Sequence, residues 1–331
     1  MLLDYVHDYG ERSFEQVKPN ALDLLVLAEM SNFEYQPAQP TPSAQPASAT
    51  PVTSATPAPL PLSQAIDAAV LPTITDARQR TLVSLENKED IELAQLVKHA
   101  QRYAPVQFRD FRASYIEGAQ QFGALAVTYH NVLCVAFRAT DLTVTGWHES
   151  LELSLVTPTG SQVDAAEFLA RNVADWDGPI IVCGHSKGGN LAEYSCRALA
   201  EQQPGIEQRI LCICSFDGPG LAPELRDTDA YRRIAPLIHT FIPKSSIVGN
   251  IHDHPRGSVA YIDSDKPFVM QHYVYNWKTR GTHLIRSRQT FTGRVASELL
   301  NLLIAVTDDT AKRHIFNVLF SPYRMFNQRL L

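Results

Sequence analysis

Unbroken apolar runs alternate with stripes of helical period through the second half of the chain. "ALAVTYH" (124–130) and "VLCVAFR" (132–138), parted by Asn131, predict two adjacent strands joined as a hairpin. "PIIVCG" (179–184), "RILCICSF" (209–216), "PLIHTFI" (236–242) and "SVAYID" (258–263) predict four more strands. Between them, 161–176 and 190–202 return to helical spacing. Strands that are apolar at almost every position must be covered on both faces, because a half-exposed strand would alternate. The pattern therefore predicts an α/β fold, a mostly parallel sheet with helices on both faces. Upstream, Ile91, Leu93, Leu96, Val97 and Ala100 form a helical stripe within 84–103, and "PNALDLLVLAEM" (19–30) predicts a short helix capped by Asn20.

Both rhythms stop between Gln36 and Pro61. This stretch holds eight prolines and no charged residue, and such a composition cannot assemble a core. The expected organisation is an N-terminal segment, 1–35, too short to fold alone and docked on the main domain; a Pro/Ala/Thr/Ser-rich disordered linker, 36–63; and one α/β domain, 64–331. No internal repeat is visible.

Composition narrows the classes. With 331 residues, 45% of them hydrophobic, the chain can bury a large core, while a net charge of −6 and the lack of any Lys/Arg stripe argue against a nucleic-acid partner. The start lacks the basic region of a signal peptide, and the longest apolar run, "LLNLLIAV" (299–306), is too short to span a bilayer. The cysteines number five, an odd count, and lie mostly in strand-like runs, which reads as reduced buried thiols and a cytoplasmic address. "HDH" (252–254) lacks a third ligand at metal spacing, so no metal or other cofactor is expected.

One turn carries chemistry. Gly184-His185-Ser186-Lys187-Gly188 follows a buried strand and opens a helix, the context in which G-x-S-x-G forms a nucleophile elbow. A serine hydroxyl is a poor nucleophile, so the chain must present it sharply, beside backbone N–H groups that receive a developing oxyanion. Small residues two before and two after let strand and helix crowd together there. The plainer alternative is a glycine-rich corner.

Around that turn the chain resembles the class 3 (fungal-type) lipases, through "VAFRATDLTVTGWHESLELSL" (135–155) followed by "GHSKGGNLA" (184–192). It resembles still more closely a bacterial family of lipase-like α/β-hydrolases of unassigned function, through "LLDYVHDYGERSF" (2–14), "FRATD" (137–141), "FDGPG" (216–220), "SSIVG" (245–249) and "MQHYVYNW" (270–277). The resemblance implies an α/β-hydrolase-like fold, Ser186 as nucleophile, and an oxyanion hole made by the Lys187 N–H with Thr140. Arg138 would fix that loop. Ala139 stands where the lipases carry glycine; if the position needs positive φ, alanine is strained by roughly 1 kcal/mol.

The order nucleophile, acid, histidine points to loops after residue 216. His272, in a segment that carries the resemblance, is the preferred base and His254, beside Asp253, the alternative. His185 reads as structural, its ring turned from the nucleophile. The lipases place an aspartate where this chain has Ser246, so either a serine orients the base or the acid comes from elsewhere; Asp217, at the end of the strand after the elbow helix, is preferred. Lys187 replaces an apolar residue beside the nucleophile and either meets an anionic substrate group or is salt-bridged. The segment 140–155, with Trp147, reads equally as a lid and as core.

The expectation is a serine-dependent hydrolase of carboxylic esters, small or lipid, without integral membrane segment but compatible with transient contact at a membrane surface. A serine thioesterase or peptidase, and a non-catalytic binding protein on a hydrolase scaffold, remain the alternatives.

Overall fold

The computed structural model describes residues 1–35, 60–67, 80–117, 119–140, 149 and 158–307. Most of the proline-rich stretch and most of 140–155, Trp147 included, lie outside them. The described chain resumes at Leu60, three residues before the expected end of the linker.

The helices are α1 (Leu2–Tyr9), α2 (Ala21–Met30), α3 (Leu62–Asp67), α4 (Arg80–His99), α5 (Gly160–Val173), α6 (Lys187–Gln202), α7 (Pro223–Arg226), α8 (Asp229–Ile234) and α9 (Phe291–Val306). The strands are β1 (Leu60–Pro61), β2 (Gln107–Ile116), β3 (Gln120–Tyr129), β4 (Val132–Phe137), β5 (Ile180–His185), β6 (Ile210–Phe216), β7 (Ile238–Pro243) and β8 (Val259–Ile262). A two-stranded ribbon of β9 (Thr279–Arg280) and β10 (His283–Leu284) follows. The eight strands lie in chain order in one mixed sheet. β1 to β4 pair antiparallel and β4 to β8 pair parallel, so four of the seven pairings are parallel.

Side-chain alternation splits each central strand between two cores. Leu133, Val135 and Phe137 of β4, with Ile180 and Val182 of β5, face α5, α6 and α8. Cys134 and Ala136, with Cys183 and Cys214, face α1, α2 and α4 instead. The crossover helices that parallel strands require thus cover one face only. The other face is covered by residues from the chain's first 106 together with Val274, Tyr275, Trp277 and Leu284, which is why the central strands are apolar at almost every position.

α2 is tied to the body by a buried ion pair. The Arg102 guanidinium donates through Nε and Nη2 to both oxygens of Asp23, each at 2.7 Å, and Tyr103 and Tyr5 donate their hydroxyls to the same carboxylate. Asn20 caps α2, its side chain accepting from the Leu22 N–H, while Asp23 reaches back to the Asn20 N–H. Arg138 closes the other end: its guanidinium donates to the carbonyls of Ser31 at 2.9 Å and Phe33 at 2.8 Å. No helix among the described residues is long and apolar enough to cross a membrane.

Candidate active site

β5 ends at His185, and α6 begins at Lys187, so the chain must reverse within Ser186. It does so with φ 56° and ψ −124°, a conformation that L-residues adopt only under strain. The turn can be this tight because Gly184 and Gly188 lack side chains. A Cβ on Gly184 would collide with the Gly188 backbone, and one on Gly188 with the Phe137 carbonyl at the end of β4. The Ser186 N–H donates to the Phe216 carbonyl at 2.8 Å, pinning the elbow to the neighbouring β6.

The structure brings Ser186, His272 and Asp217 together. Ser186 Oγ lies 2.8 Å from His272 Nε2, and His272 Nδ1 lies 2.6 Å from Asp217 Oδ2. An ionised carboxylate can only accept, so Nδ1 carries the proton and Nε2 is left to accept from the serine hydroxyl. Asp217 is fully buried, also in a left-handed conformation (φ 51°), directly beyond β6. Burial raises its pKa, opposed by its donors: His272, the Ser246 hydroxyl on Oδ2 at 2.8 Å and the Gly249 N–H on Oδ1 at 3.1 Å. Ser246, where the lipases place an aspartate, does not bond the base: its hydroxyl donates to Asp217. Ser186 is 7% exposed and the His272 side chain 18%, so the pair opens to solvent narrowly.

The expected oxyanion residues sit at the same edge. Lys187 is the first residue of α6, where N–H groups point out of the helix end, and Thr140 lies in the loop after β4, whose Phe137 is paired with Gly184 of β5. Among the described residues, non-glycine positive φ occurs at His130, Ser186, Asp217 and His252; Ala139 is not one of them, so alanine in place of glycine brings no left-handed strain.

Two alternatives that the sequence left open are decided. Lys187 does not turn its charge toward a substrate: its fully buried ammonium lies 3.0 Å from Glu149 Oε2 and 2.7 Å from Gln121 Oε1, and also meets the Gln121 carbonyl. Glu149 further accepts from the N–H groups of Gln121 and Ser161, so the pair is satisfied from four sides within the core. His254, the alternative base, is remote in bonding from Ser186. Its Nε2 donates to the Gly249 carbonyl at 2.7 Å, and its Nδ1 faces Glu193 at 3.7 Å. Burial alone would lower its pKa, but the Glu193 carboxylate more than offsets this and raises it. His254 therefore holds the turn whose Gly249 N–H cradles Asp217.

His185 and the 270–277 segment complete the site, with carboxylates that the pattern did not mark. His185 Nε2 lies 2.9 Å from the His272 carbonyl and its Nδ1 3.4 Å from Glu29 of α2; burial holds its pKa well below the usual imidazole value, which keeps the ring neutral. Trp277 donates to the Gln271 carbonyl at 2.6 Å, and Gln271 accepts from the Ser245 N–H. Tyr273 and Tyr275, flanking this loop, donate to Glu89 and Asp90 of α4, each at 2.5 Å. Only three-dimensional neighbours separated by 150 residues or more mark Glu29, Glu89 and Asp90, so no local signal could have found them.

Burial pushes the Asp90 carboxyl up to about 7, with the Tyr275 bond opposing and the Glu89 charge adding. The folded chain therefore holds this proton more tightly than the unfolded one. Its stabilising contribution is complete below the ordinary carboxylate value near 4 and is lost as pH rises through 7. Between pH 5 and pH 8 the loss is expected to be about 2–3 kcal/mol. Asp90→Asn should flatten the Tm profile over that range; an unchanged slope would remove Asp90 as its source.

Among the described residues, no group of three or more His, Cys, Asp or Glu could hold a metal ion. A family model described as Mbeg1-like matches residues 97–321. No curated protein matches the chain. Among solved structures, lipase II from Rhizopus niveus is similar at 12% identity, covering 71% of this chain and 91% of its own, with a TM-score of 0.38. The lipase from Rhizopus microsporus var. chinensis is similar at 11% identity, with 57% and 74% covered and a TM-score of 0.35. A Rhizomucor miehei lipase propeptide complex gives 10%, 67%, 73% and 0.36. Each shares too little for residue roles to transfer.

Proposed function

The chain belongs to the Mbeg1-like family, and from that premise we propose that it is a serine hydrolase of carboxylic esters, lipid esters among them, acting in the cytoplasm. The observation that carries the reading is the continuous hydrogen-bonded series from Ser186 Oγ through His272 to Asp217, built on a strained turn. In this mechanism Nε2 of His272 takes the serine proton as Oγ attacks the ester carbonyl, and Asp217 stabilises the imidazolium that forms. The Lys187 N–H and Thr140 receive the oxyanion. Collapse of the tetrahedral intermediate breaks the bond to the alcohol, which leaves with the proton from His272, and the acyl group stays on Ser186. Water, deprotonated by His272, then releases the acid and restores the serine.

Two features had favoured a non-catalytic scaffold, the alanine at 139 and the missing aspartate at 246. An ordinary backbone at Ala139 and a buried carboxylate at 217 take away the weight of both. A fluorophosphonate probe tests the proposal: the parent should be labelled and Ser186→Ala should not, whereas a silent parent would overturn it. A panel of esters, thioesters and amides then separates esterase from thioesterase or peptidase.

Gly249→Ala probes the cradle of the acid. A methyl there would collide with Asp217 Oδ1, and displacing a catalytic group by about 1 Å costs on the order of 10²-fold in rate. The variant is expected to lose about that much kcat with KM little changed; full activity would mean that Asp217 does not position the base.

A further inference from the structure

α9 has two apolar faces. Gly293, Leu300 and Ile304 turn inward, while Phe291, Val295, Leu299, Leu302 and Val306 are 44–71% exposed. The outward set recurs at intervals of three and four, so it forms one continuous stripe along the helix. Among the described residues nothing covers this stripe, and an exposed apolar stripe of this length is unusual on a surface.

The charge before it and through its first turn is one-sided. From Lys278 to Ser297 the sequence holds five Lys or Arg residues and no Asp or Glu, in a chain whose net charge is −6. Lys278 is neutralised by Asp263 and Asp265. Arg280, Arg286 and Arg288 are exposed and stand in no ion pair among the described residues. Arg286 and Arg288 lie four and two residues before Thr290, the N-cap of α9, and Arg294 lies in its first turns, paired only loosely with Glu298 at 3.8 Å. The positive end of the helix points the same way. Cations thus gather where Phe291 projects.

The patch borders the active site. The Thr290 N–H donates to the Lys244 carbonyl at 2.8 Å, and Thr290 Oγ1 meets Ser245 Oγ at 2.7 Å. Ser245 is bonded to Gln271, the neighbour of His272, and precedes Ser246, which supports Asp217. Farther along, Asn301 donates to the Asn250 carbonyl and accepts from the His252 N–H, so α9 runs along the loop at the carboxyl edge of β7.

We propose that the outer face of α9, with Arg286, Arg288 and Arg294 at its N-terminal end, is a docking surface for a bilayer bearing anionic headgroups, which sets the Ser186 site beside the lipid. An apolar stripe enters the acyl boundary while flanking arginines meet the headgroups; neither a neutral bilayer nor a wholly polar anion would use both halves of the patch. The inference deepens the ester-hydrolase reading by naming where its lipid substrate is met, and rests on that reading for its purpose but not for its test.

The full chain is floated with phosphatidylcholine vesicles and with vesicles containing phosphatidylglycerol. It should bind the second and hardly the first, and high salt should weaken binding. Leu299→Glu/Leu302→Glu and Arg286→Glu/Arg288→Glu, both at exposed positions, should each reduce partitioning by about tenfold or more while leaving thermal unfolding unchanged. Ser186→Ala should float like the parent. Failure of the parent to float, or undiminished flotation of either double variant, overturns the proposal, as does concentration-dependent self-association abolished by Leu299→Glu/Leu302→Glu without vesicle binding. Flotation without hydrolysis would remove the enzymatic reading alone, and hydrolysis of a soluble ester without flotation the docking alone.

Discussion

Asp217→Asn is expected to lower kcat by about 10⁴-fold with KM and Tm nearly unchanged. The reasoning follows from which donors meet which oxygen. Oδ1 accepts from the Gly249 N–H, a backbone group that cannot reverse its role. An asparagine must therefore keep its carbonyl there and turn its amide toward His272 and Ser246. The Ser246 hydroxyl can rotate to accept. The imidazole responds by exposing a lone pair at Nδ1, which moves its proton to Nε2 and faces Ser186 with a donor instead of a base. His272→Ala should cost at least as much, and combining it with Ser186→Ala should add little, because the two act as a unit. Turnover of Asp217→Asn within tenfold of the parent would refute the assignment of the acid.

Arg102→Met should destabilise the fold by about 3–5 kcal/mol, since it leaves the Asp23 carboxylate buried without its counter-charge. Arg102 has no exposed side-chain surface and Asp23 only 3%. The same guanidinium also donates to the carbonyls of Arg12, Val17 and Lys18, organising the turn that leads into α2. The loss should therefore appear first as release of the N-terminal segment, read as new protease cleavage between residues 10 and 35, and second as a fall in activity, because Glu29 and Arg138 connect that segment to the elbow and to the loop after β4. Arg102→Met unfolding at the parent's denaturant midpoint would show that the ion pair contributes nothing.

Much of this was legible in the residues because local and global demands coincide. The elbow announces itself through glycines that backbone crowding requires, and of the six strands expected from apolar runs the central β4 and β5 are buried at almost every position, while β8 at the sheet edge is only half-buried. β2 escaped notice for the opposite reason. Arg109, Asp110 and Arg112 interrupt its apolar positions, and a bulge between Phe108 and Asp110 breaks the alternation that would mark an outer strand. The short helix at 19–30 was visible, but nothing local indicates that it covers the face the crossovers leave open. Lys187 beside the nucleophile left a substrate contact and a salt bridge as alternatives, and nothing local could name the partner; Gln121 and Glu149 lie 66 and 38 residues away. Buried polar pairs are chosen by the packed interior and leave no periodicity in the chain.

The sulfurs beneath α2 give that helix a built-in reporter. Cys134, Cys183 and Cys214 lie buried on the sheet face it covers, and Cys183 Sγ is 3.4 Å from the Leu24 carbonyl. While α2 is seated, a maleimide reaches only the half-buried Cys212 on this face; whenever it lifts, three further thiols on neighbouring strands become reactive together. The rate of their alkylation thus counts the openings of the first thirty-five residues in real time, without any dye or engineered pair.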